Sequence, residues 1–239
     1  MELFKEVLAD LSVYLKDAEH RNVLRRYCYN NFSVWPEHSS LVLQEDTAVE
    51  LGGAGGSLLV IFWTGRAGLI SPGQISLVGP DLSETGVSKL PLAQIVLVKG
   101  SFSDEYETYQ TLQDVVFDTR LKGLSMRFWP DRQKIWCRVS REALDKGFNL
   151  NRYGSTLIKR LNALPSVEEA EVIFVTEALQ NITLLNVVAE KVRDIMEALL
   201  KIYDQLNFDC ESCEYQEVCA EVAGLKEIHQ RLNEERENL

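Results

Sequence analysis

Residues 92–100 read Leu92-Ala93-Gln94-Ile95-Val96-Leu97-Val98-Lys99-Gly100, LAQIVLVKG. A short run this rich in β-branched and aliphatic residues, closed by glycine, reads as a strand. The same pattern recurs at LVLQ (41–44), TAVEL (47–51), LLVIFW (58–63), QISLVG (74–79) and AEVIFVT (170–176). Gly79-Pro80-Asp81 marks a turn after the fourth of these. GGAGGS (52–57) has neither the Gly-Lys-Ser/Thr of a phosphate loop nor a G-x-G-x-x-G opening a helix, so it reads as a flexible connection between strands.

Helical patterns surround these strands. Leu3, Phe4, Val7, Leu8, Leu11, Tyr14 and Leu15 share one helical face, and a second short helix is expected over Asp17–Tyr29. Pro36, His38 and the serines beyond mark a loop. Ser101 with Asp104 suggests a capping box for a helix running to about Arg120. A short helix is expected after Ser140, and a longer one from Arg152 to Leu164, ended by Pro165. A long helix is expected over Glu177–Asn207. Its seam of Val188, Val192, Ile195, Leu199, Ile202 and Leu206 suits either an internal contact or a homodimer surface. Val222, Leu225, Ile228 and Leu232 define a last amphipathic helix.

Strands first and helices dominant later indicate an α+β (mixed α/β) fold, with central sheets, flanking helices and a helical C-terminal part. The expected organisation is an N-terminal helical segment (1–40), an α+β domain (41–208) and a cysteine-cluster tail with its helix (209–239). The N-terminus, MELFKEVLAD, has no signal-peptide pattern, and the longest apolar run, Leu58–Trp63, is too short to span a bilayer. These features lead to the expectation of a soluble, cytoplasmic protein without a membrane partner.

The net charge is −11 and unevenly spread. Residues 1–119 hold 8 Lys/Arg against 16 Asp/Glu, residues 120–160 hold 11 against 3, and residues 161–239 hold 6 against 17. Acidic flanks repel a phosphate backbone, so a nucleic-acid partner is not expected. One basic island suits a small anion or an acidic partner, or is a surface paired with its own carboxylates. Its planar guanidinium forks at Arg120, Arg127, Arg132, Arg138, Arg141 and Arg152 are the candidate anion-binding groups. The island, RLKGLSMRFWPDRQKIWCRVSR (120–141), reads as two strands around Pro130-Asp131. Trp129 and Trp136 flank the turn and suit cross-strand or core packing, or stacking on a planar ligand.

Five cysteines are present. Cys28 and Cys137 stand alone and are expected to be buried small hydrophobes. Cys210, Cys213 and Cys219 form C-x2-C-x5-C, which brings three thiolates within reach of one zinc ion or three corners of a [4Fe–4S] cluster. Ten residues on, His229 would be about 15 Å away along a helix, too far for the same ion. A fourth ligand would come from Cys28, Cys137, another subunit or an exogenous group. Glu211, Glu214, Glu217 and Glu221 should raise the thiol pKa values unless a cation is present. No G-x-S-x-G or H-E-x-x-H occurs, and His20, His38 and His229 are scattered, which argues against hydrolase chemistry.

Four stretches in order, ISLVGPDL (75–82), SKLPLAQIVLVKG (88–100), RVSREALDKGF (138–148) and RYGSTLIKRLNALPSVEEAEVIFVTE (152–177), resemble the middle part of acetyl-CoA synthase. That family is the β subunit of the carbon monoxide dehydrogenase/acetyl-CoA synthase complex, called α in the bacterial naming. The resemblance spans roughly Thr47–Leu206 and implies an arginine-rich α+β domain linked to coenzyme A. It also implies that Cys210, Cys213 and Cys219 correspond to the first iron–sulfur ligands of the family's nickel–iron–sulfur cluster, whose pattern is C-x2-C-x8-C-x9-C. The fourth and later cysteines of that pattern are absent from these 239 residues. The implied role is a non-catalytic or accessory relative in anaerobic one-carbon metabolism with a protein partner from the same system. The alternatives are a split CO-methylating synthase subunit completed by another chain, or a coenzyme A or anion module using the basic island.

Overall fold

The computed structural model describes residues 3–37, 41–53, 56–84, 86–204, 213–222 and 224–237. Its main sheet is built from the apolar runs: β1 (Leu24–Cys28), β3 (Ser57–Thr64), β4 (Gln74–Val78), β6 (Leu92–Gly100) and β9 (Val167–Val175), in the order β1-β4-β9-β6-β3. β6 pairs in parallel with β3 and antiparallel with β9. β9 continues in parallel to β4, which pairs antiparallel with β1. β3, β4, β6 and β9 are buried almost throughout, as expected for strands covered on both faces.

Helices supply both covers. The α4 helix (Leu150–Leu161) lies on one face, with the Tyr153 and Phe174 ring centroids 5.4 Å apart. Gly154 lets it approach, since a Cβ there would sit 3.0 Å from Phe174 and 3.2 Å from Ile75. On the opposite face α1 (Lys5–His20) brings Phe4 to 5.6 Å from Phe62 and 5.0 Å from Trp63. The α5 helix (Leu179–Asp204) packs on β3 and α1, and α2 (Glu105–Phe117) lies beside it. The seam residues Val188, Val192, Ile195, Leu199 and Ile202 are all buried within the chain, so they form an internal contact; Leu206 lies outside the described residues. The short α6 (Gln216–Glu221) and α7 (Leu225–Glu237) pack on α5. Glu105 joins this group by accepting hydrogen bonds from Tyr203 Oη (3.2 Å) and Arg231 (2.9 Å). No helix among the described residues is long and apolar enough to cross a membrane.

A second, four-stranded sheet has the order β5-β2-β8-β7, formed by β2 (Thr47–Gly52), β5 (Lys89–Leu90), β7 (Leu124–Trp129) and β8 (Lys134–Ser140). It meets the first sheet at β3, where Leu59 N–H donates to Gln133 O at 2.7 Å and Ile135 N–H donates to Ser57 Oγ at 2.8 Å. The α3 helix (Arg141–Asp145) follows β8 and is capped by Ser140, whose Oγ accepts from Ala143 N–H at 3.1 Å. The architecture is the mixed α+β arrangement expected from the sequence, with a helical C-terminal part.

Four local expectations are corrected. No helix continues over Asp17–Tyr29: α1 stops at His20, Asn22 adopts a left-handed φ of 57°, and Leu24–Cys28 pairs with β4. Tertiary pairing outweighs the local helical pattern there. LVLQ forms no strand; Leu41 is 79% exposed, and Val42 N–H binds only the Ser125 hydroxyl at 3.1 Å. Ser101 is not the helix cap. Asp104 caps α2, its Oδ1 accepting from Glu107 N–H at 2.7 Å, and α2 ends at Phe117 rather than Arg120. Cys28 is exposed on an edge strand, because alternation along β1 turns it away from the core, while Cys137 is buried as expected.

Asp81 of the Gly-Pro-Asp turn acts at a distance. Its Oδ1 accepts from Leu82 N–H (2.7 Å) and from Leu150 N–H (3.1 Å) at the start of α4, and Oδ2 accepts from Asn151 Nδ2 at 3.4 Å. Burial pushes its carboxyl above the usual range despite these donors. A raised folded pKa means that the native state keeps its proton when the unfolded state has lost it. Stability therefore falls as pH rises from about pH 4 through the folded value. Asp81→Asn is expected to remove this component in urea melts run across that range, with the Asn151 amide turned over so that its Oδ1, buried without a partner, accepts from the new amide. Phe62→Ala, which opens a cavity against Phe4, is expected to cost about 3–5 kcal/mol in the same assay.

Candidate functional site

The cysteine tail follows α5. Cys210 lies outside the described residues. Cys213 opens a turn in which its carbonyl accepts from Gln216 N–H at 3.1 Å, and Cys219 sits on α6 with its N–H donating to Tyr215 O at 2.9 Å. Both thiols are half-buried rather than sealed in the core. Lys201, projecting from α5, pairs with Glu214 at 2.8 Å and lies 5.4 Å from the Tyr215 ring centroid. The Glu214 carboxylate holds this lysine above its ordinary pKa, with Cys213 and Tyr215 adding to the effect. The acidic surroundings read from the sequence are thus partly neutralised by a cation from another element. Among the described residues no group of three or more His, Cys, Asp or Glu side chains is arranged to hold a metal ion. The donors on view, two accessible thiols on a turn and the helix after it, are chemically suited to a thiophilic metal.

The basic island forms the outer face of the second sheet. Register places Lys89, Glu50, Arg138 and Ser125 in one row across β5, β2, β8 and β7, and Gly52, Trp136 and Arg127 in the next. Two guanidinium groups approach Trp136, with Arg138 Cζ 4.5 Å and Arg127 Cζ 5.6 Å from its ring centroid. Each such contact contributes roughly 0.5–1 kcal/mol at an exposed site. Trp136 Nε1–H donates to Glu50 Oε1 at 2.6 Å, which fixes the ring. Gly53, at φ 78°, leaves that indole uncovered, since a Cβ there would stand 3.1 Å from Trp136 Cδ1. GGAGGS is therefore more than a connection, because its first glycines give access to the tryptophan. Neither Arg127 nor Arg138 pairs with a carboxylate among the described residues.

The six arginines do not form one site. Arg120 stands 3.9 Å from Asp118 and lines an open groove with Arg127. Arg132 lies in the 3-10 turn between β7 and β8. Arg141 borders a separate cleft with Trp35, Asp46 and Lys122. Arg152, at the start of α4, stacks 5.5 Å from Trp35 and donates to Ser33 Oγ at 3.1 Å. Trp129 is partly exposed at the rim, and of the two tryptophans flanking the turn Trp136 is the one with arginines over its ring. The Lys201–Glu214 contact and Trp35 were missed in the sequence because their partners come from distant segments.

A family model described as CO dehydrogenase/acetyl-CoA synthase complex beta subunit matches residues 36–180. The chain is also similar to the carbon monoxide dehydrogenase/acetyl-CoA synthase subunit alpha of Moorella thermoacetica. The two are 26% identical over 164 residues, covering 67% of this chain and 22% of that protein. The chain thus aligns with about a fifth of the length of the curated relative it matches. The matched range contains both sheets except β1, and the cysteine tail lies beyond it.

Thiol accessibility should follow this geometry. A native thiol titration is expected to modify Cys28, Cys213 and Cys219, and to reach Cys137 only in denaturant, because burial pushes the Cys137 thiol up and excludes reagent. Mass spectrometry of the labelled peptides reads the result.

Proposed function

The chain belongs to the CO dehydrogenase/acetyl-CoA synthase complex beta subunit family, and on that premise we propose that it is an accessory, non-catalytic relative of the synthase subunit. In this reading it binds an iron–sulfur cluster, [4Fe–4S] rather than zinc, through Cys210, Cys213 and Cys219, and works beside a protein partner of one-carbon metabolism. The observation that carries the reading is the order of parts. The family-matched α+β body is followed by α5 and then directly by C-x2-C-x5-C. Lys201 supports it by tying the turn that carries Cys213 to α5 through Glu214 at 2.8 Å. When bound, such a cluster supplies one-electron chemistry or a structural clasp. The chain's own part is to present the thiols on a turn anchored to α5 through Lys201 and Glu214.

Anaerobic purification with iron and sulfide analysis and an absorption spectrum tests this. A band near ~400 nm that bleaches on reduction is expected. Cys213→Ser and Cys219→Ser should each lose most of it while the far-ultraviolet circular dichroism stays unchanged. Zinc at full occupancy, or no metal in protein kept free of oxygen, would end the iron–sulfur reading.

A second reading rests on a separate observation, Arg127 and Arg138 over the Trp136 ring with no carboxylate partner among the described residues. This face suits an anion carrying a planar ring, and coenzyme A is the natural probe. Calorimetry is expected to show heat that falls at least ~10-fold in affinity with Arg138→Ala, the loss of one charge-assisted contact. Equal heats for both proteins would remove coenzyme A from this face.

A further inference from the structure

The β7 strand ends the second sheet, and among the described residues no strand pairs with its outer edge. The two faces of this edge differ. Met126 and Phe128 sit opposite the buried Cys137 and Ile135 and turn inward, whereas Arg127 and Trp129 sit opposite Trp136 and Lys134 and turn outward. On the inner side Phe117, at the end of α2, stacks on Phe128 with centroids 4.6 Å apart. An open groove of about 520 Å³ runs here, with Leu41, Phe117, Met126 and Phe128 as its apolar lining and Arg120 and Arg127 as its cations. Leu41, 79% exposed, overhangs it.

Exposed edges invite strand addition, and proteins usually blunt them. The contrasting edge, β1, is blunted: Arg25 is paired with Glu84 at 2.6 Å and Arg26 with Glu19 at 2.6 Å. On β7 the edge cation Arg127 has no carboxylate partner among the described residues, and the flanking apolar side chains are half-buried.

We propose that the open edge of β7 is a docking site for an extended, acidic segment of a partner protein, added as a further strand. Strand alternation sets its chemistry. Residues on one face of the added strand meet Met126, Phe128 and Phe117 and are apolar, while those on the other meet Arg127 and are Asp or Glu. The charge complementarity is specific to this part of the molecule. The charged residues that line the groove, Arg120 and Arg127, are both cations. The site uses none of the cysteines, so it stands independently of the iron–sulfur reading.

The test is fluorescence anisotropy with a labelled peptide of alternating valine and glutamate, eight residues long, added to the full chain. Saturable binding is expected. It should weaken at least ~10-fold with Arg127→Glu or Arg120→Glu, and as much when alternate peptide amides are N-methylated. Hydrogen exchange should show new protection over residues 124–129. Arg138→Ala and added coenzyme A separate this site from the second reading above, since coenzyme A that binds only the Trp136 face leaves Arg120-dependent peptide binding in place. Binding that ignores N-methylation would reduce the contact to bulk electrostatics and overturn the proposal. So would no binding at about 1 mM peptide, the weak end of the affinity scale. A concentration-dependent dimer that Arg127→Glu dissolves, with no peptide binding, would assign the edge to a second copy of the chain and likewise overturn it.

Discussion

The pairing of β6 with a parallel neighbour on one side and an antiparallel neighbour on the other is the contact from which the rest of the molecule hangs. Ile95, Val96 and Val98 have no exposed surface, and each such burial is worth roughly 1.5–3 kcal/mol. That gain requires both faces of the sheet to be covered, which is the task of α4 on one side and α1 with α5 on the other. The outer edge of β3 is then left to join the second sheet through Leu59, Gln133 and the Ser57 hydroxyl. Gln133 reaches this contact in a left-handed conformation, φ 48°, at the turn between β7 and β8. The basic hairpin is therefore tied to the core at its turn, and its outward face is left for Trp136 and its arginines.

The apolar strands were legible because burial on both faces leaves an unbroken hydrophobic run, a signal that needs no knowledge of partners. The failures share one cause. Leu24–Cys28 is helical by pattern and a strand by pairing with β4, and LVLQ is a strand by pattern that reaches β7 only through the Ser125 side chain. Asp104 rather than Ser101 caps α2 because the residue with extended backbone just ahead of the helix is Asp104, whose side chain reaches Glu107 N–H. In the site, the spacing of the cysteines was visible in the sequence. The Lys201 contact with Glu214 was not, because it joins elements through the path of the chain between them. Likewise six arginines were visible as an island, but only the β7–β8 register shows that two of them hold one tryptophan and the others are dispersed.

The electrostatics divide along the same lines. Exposed carboxylates of the body are largely used locally: Glu84 and Glu19 hold the β1 arginines, Glu168 holds Lys99, and Glu142 holds Lys146. Their pKa values are lowered, each chiefly by hydrogen bonding to its partner. Such surface pairs contribute little stability. On the outer face of the second sheet, by contrast, Arg127 and Arg138 lean on an aromatic ring instead of a carboxylate. A guanidinium so placed keeps its hydrogen-bond donors free for a ligand.

The range shared with the family, 36–180, does not close its own core. Without α1, Phe62 and Trp63 lose the Phe4 ring, and without β1 the β4 edge is unpaired. The N-terminal elements are tied to the shared body by Arg21, whose guanidinium meets Glu177 at 2.8 and 3.0 Å and Asp17 at 2.8 Å. Glu177 ends the last of the four stretches that carry the family resemblance and stands just ahead of α5, which leads to the cysteines. The same residue also accepts from Asn181 at 2.5 Å, in the first turn of that helix. One carboxylate therefore aligns the covering helix, the family core and the start of the helix that carries Lys201. The direction of α5 beyond that point is held by its buried face, Val188, Val192, Ile195, Leu199 and Ile202, and that face is what brings Lys201 to Glu214.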